Sequence, residues 1–308
     1  MQWVFAYCMQ PIYFYNNEER VMKRNIVNII LIAILIIGLS LLLYPSISEY
    51  INSKHQSRAV RAYSEQVSDM SQDKSDDMIR AAQEYNVRLS QTEGAFYHPE
   101  RVEGYEEALD VTGTGIMGYV SIDKINVELP IYHGVSDGVL QIAIGHLPGT
   151  SLPASGESTH IVLSGHRGLP SAKLFTDLDK LDEGDTFQIS VLKEQYTYRV
   201  DQIRIVLPNE VDDLQIDEGK EYCTLMTCTP YGVNSHRLLV RGVRTDIAKE
   251  GDSNYVVNEA YQIDPVVVMP ALAGPMFAVW LVWLGVRYIR RKKKEKHKWK
   301  GLKNLETE

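Results

Sequence analysis

Two long, almost wholly apolar stretches of the chain carry no charged residue. Residues 26–44 read IVNIILIAILIIGLSLLLY and residues 265–286 read PVVVMPALAGPMFAVWLVWLGV. As helices they extend roughly 28 and 33 Å, enough for a hydrocarbon layer of about 30 Å. A buried core helix of that length would show a polar face, and neither run has one. Both are therefore expected to cross a membrane. Pro265, Pro270 and Pro275 predict a kink in the outer half of the second. A cleaved signal peptide is the rival reading of the first run, with Ser46-Ile47-Ser48 as a small-residue cleavage site. Signal cores are usually about 7–15 residues long, so an uncleaved anchor is favoured.

Between the runs the pattern changes twice. Residues 46–95 are polar with helical periodicity: Val60, Tyr63, Val67 and Met70 recur on one face, and Met78, Ala82, Tyr85 and Leu89 on another. Two amphipathic helices are predicted, broken near residues 71–75, either lying on the next domain or standing as a stalk. Residues 91–112 have no sustained period and read as a loop, long enough to suggest function or mobility. From residue 115 the pattern turns to β. Strands are predicted at 116–122, 128–132, 160–164, 186–192, 196–206, 222–228 and 237–243, with a short helix at 171–181. The fold class is mainly β: a closed barrel or sandwich of about 130 residues, assigned to residues 113–247, with 248–264 as a linker.

Charge orients this layout. Lys23 and Arg24 precede the first run; residues 287–308, after the second, hold ten Lys/Arg against three Glu. Cations flanking membrane helices mark the cytoplasmic side. Residues 1–25 and the basic tail are thus expected inside, and 45–264 outside. Residues 25–286 hold 19 basic against 35 acidic groups, which disfavours nucleic acid as a partner. Met22-Lys23-Arg24 resembles an ordinary membrane-protein start, so the native chain is expected to begin at Met22. A peptide recovered from residues 1–21 of the native protein would contradict this.

Three cysteines occur. Cys8 falls on the cytoplasmic side; Cys223 and Cys228 share the strand YCTLMTC at an odd offset, so they face opposite ways and no disulfide joins them. Cys223 reads as a buried hydrophobe. Cys228 sits at a strand end before the turn Thr229-Pro230-Tyr231-Gly232. A free thiol is only a few per cent thiolate at neutral pH, and a strand end supplies no helix dipole. Activation therefore needs an imidazole and a cation from elsewhere. His166 follows the apolar strand in LSGHRG and is the best candidate; His236 is a rival, while His133, His146 and His160 read as structural. Arg237 offers a fixed charge and five donors for a developing oxyanion. His236 and Arg237 are adjacent on one strand, so only one can face the thiol. Arg167 and Arg241 read as ordinary surface cations. His before Cys excludes the papain-like order, and the caspase QAC[RQG]G pattern is absent.

These segments resemble the sortases of Gram-positive bacteria, whose signature is TLxTC with an upstream His and a downstream Arg. TLMTCTPYGVNSHRLLVRG (224–242) and STHIVLSGHRGLPSAKLFTDLDKL (158–181) look like the pilin-polymerising class C. IMGYVSIDKINVELPIYHG (116–134) and IGHLPGTSLPASGES (144–158) add to the resemblance, which covers residues 105–245, and the two-anchor layout matches as well. It implies an eight-stranded β-barrel, with Cys228 as nucleophile, His166 as acid/base and Arg237 as stabiliser. It also implies transpeptidation of LPxTG-like sorting signals onto a lysine of another pilin subunit. The residues themselves show no cofactor or metal site, the acidic ones lacking Ca²⁺-loop spacing. Class C enzymes carry a lid with an Asp-Pro-aromatic motif. The corresponding loop here reads Phe96-Tyr97-His98-Pro99-Glu100, which puts the Asp contact in doubt. A cell-wall-anchoring sortase and a non-catalytic pilin scaffold are the alternatives.

Overall fold

The computed structural model describes residues 10–245, together with positions 280, 283, 285 and 287. Most of the second apolar run, the linker and the basic tail lie outside the described residues. The first run lies inside one helix, α1 (Gln10–Asp69), and its apolar side chains are exposed along 26–44. This helix is long and apolar enough to cross a membrane. It continues without a break, through Pro45, into the first amphipathic segment.

α1 ends at Asp69, and α2 (Gln72–Gln91) begins after Ser71, whose side chain accepts from the Lys74 N–H as an N-cap. The predicted faces are the ones buried. Tyr63 and Val67 of α1 and Ala82, Tyr85 and Leu89 of α2 pack into the main core, and Val60 is buried beside them, so both helices lie on the barrel. Polar contacts fix the fit. The Tyr63 hydroxyl donates to the Met117 carbonyl and accepts from the Leu192 N–H. Asn86 accepts from Leu152 N–H and donates to its carbonyl.

Eight strands follow: β1 (Ile116–Ile122), β2 (Val127–His133), β3 (Ile144–His146), β4 (Thr159–Ser164), β5 (Thr186–Val191), β6 (Glu194–Val206), β7 (Glu221–Thr229) and β8 (His236–Arg244). They close into a barrel in the order β1-β2-β3-β4-β7-β8-β6-β5. The β4–β7 pairing is parallel and β7–β8 antiparallel. Ile161, Leu163, Cys223, Leu225, Leu238 and Val240 fill the interior, while the alternate positions face outward.

Two expectations differ from this fold. β3 escapes the sequence pattern because its three residues are all buried and show no alternation. Residues 171–181 form turns and a one-turn 3₁₀ helix (Leu178–Lys180) rather than the predicted helix. Ala172, Leu174, Phe175, Leu178 and Leu181 are all buried, at helix-like spacing, yet Leu174 adopts φ +38°.

His146 ends β3 fully buried. Its Nε2 donates to the Ser151 carbonyl, and Nδ1 lies 3.0 Å from the Tyr105 hydroxyl. Burial pushes its pKa down to about 4. The folded state therefore binds fewer protons than the unfolded state between pH 6.5 and 4, and His146 costs stability as pH falls through that window. Its contribution is about 3 kcal/mol. In urea unfolding, a His146→Gln variant is expected to show a flatter acid limb than the parent between those pH values. An unchanged slope would contradict the assignment.

Candidate active site

β7 and β8 pair so that Cys228 and Arg237 are direct cross-strand partners. Partners in an antiparallel pair stand roughly 4.5–5.5 Å apart at Cα and point to the same face. That face is the outer one, because Cys228 shares parity with Met226 and Arg237 with Leu239, both outside the main core. Both residues are half-buried. His236 pairs with Thr229 on the other face. The parity thus resolves the rivalry: Arg237, not His236, shares the face of Cys228.

The parallel β4–β7 ladder leads toward His166. β4 pairs with β7 up to Ser164 opposite Met226. The pairing runs one residue further, since Gly165 N–H donates to the Met226 carbonyl at 3.0 Å and the Thr227 hydroxyl donates to the Gly165 carbonyl at 2.7 Å. His166 follows Gly165 directly, one residue beyond the last hydrogen bonds that tie this connection to β7.

Close packing holds this turn. A Cβ at Gly165 would come within 2.7 Å of the Phe175 ring and 2.9 Å of Ile144, and one at Gly168 (φ +75°) within 2.9 Å of the Tyr231 ring. Gly is therefore required at both. The His166 carbonyl accepts from Phe175 N–H. Arg167, expected as a surface cation, is instead nearly buried; it pairs with Asp179 and donates to the Thr229 hydroxyl at 3.2 Å. It braces the turn that carries His166 against the end of the strand that carries Cys228. Nothing but its adjacency to His166 marks that role in the sequence.

Arg237 donates to the carbonyls of Asn234 and His236. Among the described residues no carboxylate pairs with it, which leaves donors free for a ligand. Arg241, by contrast, is committed: it forms two hydrogen bonds to Asp201 and lies 4.2 Å over the Tyr222 ring.

His133 and His160 are structural, as expected. His133 lies between the Gly115 and Ala108 carbonyls, and His160 between the Gln215 carbonyl and the Thr224 hydroxyl, where burial lowers its pKa. Cys223 is wholly buried, and burial pushes its thiol pKa well up, so it stays protonated and inert. Both described cysteines are free thiols.

A second apolar cluster lies on the outer face beside the Cys228–Arg237 pair. Val162, Leu239, Val206 and Leu214 are its buried members, with Met226 and Phe96 packed against them. Phe96 belongs to the loop after α2. Its backbone closes on Gly149, where a Cβ would lie 2.6 Å from the Phe96 carbonyl oxygen. Met226 and Leu239 are cross-strand partners one same-face step from Cys228 and Arg237. Phe96 thus packs against the same cluster as Met226, one same-face step from the candidate nucleophile.

The family model of the sortase domain matches residues 120–245. The structure of sortase C1 from Streptococcus agalactiae is 51% identical, with a TM-score of 0.56; the match covers 61% of this chain and 98% of that one. This chain belongs to the sortase family. Streptococcus pneumoniae sortase C, whose structure bears on catalysis and pilin substrate specificity, is 43% identical, with a TM-score of 0.56 and coverage of 61% and 96%. Sortase D of Bacillus subtilis is 31% identical over 130 residues, 41% of this chain, and the chain spans 63% of its length. The structural neighbours are thus class C sortases. In the loop where the sequence reading expects a lid, His98 Nδ1 lies 3.2 Å from the Glu100 carboxylate.

Proposed function

We propose that this sortase is a membrane-anchored cysteine transpeptidase that joins pilin subunits. One observation carries the reading: Cys228 and Arg237 are paired across β7–β8, and the parallel neighbour β4 ends just before His166 at the same end of the barrel. Cys228 attacks the carbonyl carbon at the scissile bond of an LPxTG-like sorting signal. Negative charge develops on the carbonyl oxygen, where the Arg237 guanidinium donates. His166 protonates the departing amine as the C–N bond breaks, leaving a thioester on Cys228. A lysine amine of a second subunit, protonated in solution with a pKa near 10.4, gives a proton to His166 and attacks the thioester. The new isopeptide bond releases the thiol. Splitting one amide exchange into two acyl transfers is the gain from the covalent intermediate.

The similarity to class C sortases and the free donors of Arg237 support this reading over a non-catalytic scaffold. Its test is incubation with purified pilin subunits. A ladder of covalent oligomers is expected; attachment only to a peptidoglycan amine would assign the chain to the cell-wall-anchoring type instead.

The reading extends to the loop of residues 92–102, which acts as a lid. Its aromatic plug is Phe96, in place of the aromatic that follows Pro in class C lids. Full burial of a Phe side chain is worth about 1.5–3 kcal/mol, so half-buried Phe96 holds the lid by roughly 1 kcal/mol. Phe96→Ala is expected to raise the rate of acylation by a short sorting peptide about fivefold. A rate at or below the parent's would contradict a plugging role.

The apolar part of α1 is the anchor, with the barrel outside. Residues 265–286 form the second crossing and residues 287–308 the cytoplasmic tail. Protease protection of the two termini in sealed vesicles tests this topology.

A further inference from the structure

The contacts between α1 and the barrel have a direction. Leaving the apolar run, α1 first meets Asn52, whose side-chain amide donates to the Ser171 carbonyl, and then Gln56, which donates to the Ile142 carbonyl. Ser171 lies in the connection that follows β4 and carries His166; Ile142 lies where β3 begins, beside the end of β4. Only later does Tyr63 reach Met117 and Leu192, where β5 turns into β6 at the opposite end of the barrel. β4 and β7 end, and β8 begins, at the first of these ends. The end that holds Cys228, His166 and Arg237 therefore points back along α1 toward its apolar part.

The spacing is short. Asn52 lies eight residues beyond Tyr44, about 12 Å along the helix. The apolar surface of α1 also continues past Tyr44, with Ile47, Tyr50 and Ile51 exposed. Lys54 follows, its ammonium 5.7 Å over the Tyr50 ring. Tyr and Lys at the end of an apolar span settle at the headgroup level. The barrel meets α1 at that level.

The surface of the barrel agrees. Among the described residues from β1 to β8, the exposed large apolar side chains are Ile142, Ile205, Leu207, Tyr231 and Val233. All lie at this one end: Ile205 and Leu207 where β6 finishes, Tyr231 and Val233 in the β7–β8 turn, Ile142 before β3. Val233 is 70% exposed. Apolar side chains on a soluble surface scatter unless they mark a contact.

We propose that this rim is a membrane-contact surface: the barrel rests its active-site end on the interfacial layer of the bilayer that α1 crosses. The inference rests on α1 being an anchor. Its consequence is that Cys228 and Arg237 stand near the membrane surface rather than far out in solvent.

Nitroxide accessibility in the full chain in nanodiscs of phosphatidylcholine and phosphatidylglycerol tests it. In a background of Cys8→Ser and Cys228→Ser, single labels are placed through Val233→Cys, through Lys193→Cys at the far end, and through Ile36→Cys in the apolar run. The label at 233 is expected to lose collision with a water-soluble nickel chelate and gain collision with oxygen; the label at 193 is expected to stay with the chelate. Equal water access at 233 and 193 would overturn the proposal. Protection at 233 only when two copies share a disc would assign the rim to a second copy and also overturn it. A water-exposed label at 36 would remove the anchor and the inference together. Acylation of the unlabelled parent by a sorting peptide tests the transpeptidase reading separately.

Discussion

Replacing Cys228 with alanine is expected to abolish the acyl-enzyme and every pilin oligomer, with no residual ladder. The Cys228 thiol is the only one among the described residues outside the barrel interior, since Cys223 is sealed within it. The fold should survive. Cys228 is half-buried on the outer face, and substitutions away from core and buried networks usually change stability by within about 0.5 kcal/mol. Gel analysis of pilin oligomers and a urea melt on the same preparation check both halves. Oligomers from a folded Cys228→Ala variant would remove the nucleophile from the account.

Arg237→Gln comes second. Removal of one oxyanion donor typically costs about 10²–10³ in kcat. Because Arg237 has no carboxylate partner among the described residues, the substitution leaves no buried charge unpaired. The loss is expected in kcat rather than KM, since the donor acts on charge that develops in the transition state. Arg237→Lys is expected to recover little, as an ammonium does not reproduce the guanidinium fork. Steady-state kinetics with a fluorogenic sorting peptide separate the two constants. A loss confined to KM would make Arg237 a ground-state contact.

Much of this was legible in the chain. The odd offset between Cys223 and Cys228 predicts opposite faces, and one lies in the core while the other opens outward. Alternation along residues 237–243 puts His236 and Arg237 on opposite faces, and the ladder selects Arg237. The helical faces of Tyr63 and Tyr85 are the faces that dock. What the sequence could not yield has physical reasons. Periodicity reports which side chains are buried, not the backbone that buries them. Residues 171–181 have helix-like spacing, but Phe175 N–H is committed to the His166 carbonyl and Gly168 N–H to the Thr176 hydroxyl, which draws the segment into turns. β3, buried along its whole length, offers no alternation to detect. Arg167 looks like any loop cation until its pairing across to Asp179 and Thr229 is visible. The direction of α1 along the barrel depends on contacts more than a hundred residues apart, such as Asn52 to Ser171.

Mass spectrometry of the parent chain quenched in acid during turnover of a sorting peptide tests the central claim most directly. A hydroxylamine-labile adduct, carrying the peptide up to its scissile bond and mapping to the tryptic fragment with Cys228, is the predicted result. An adduct on any other residue, or turnover with no covalent adduct, would contradict it.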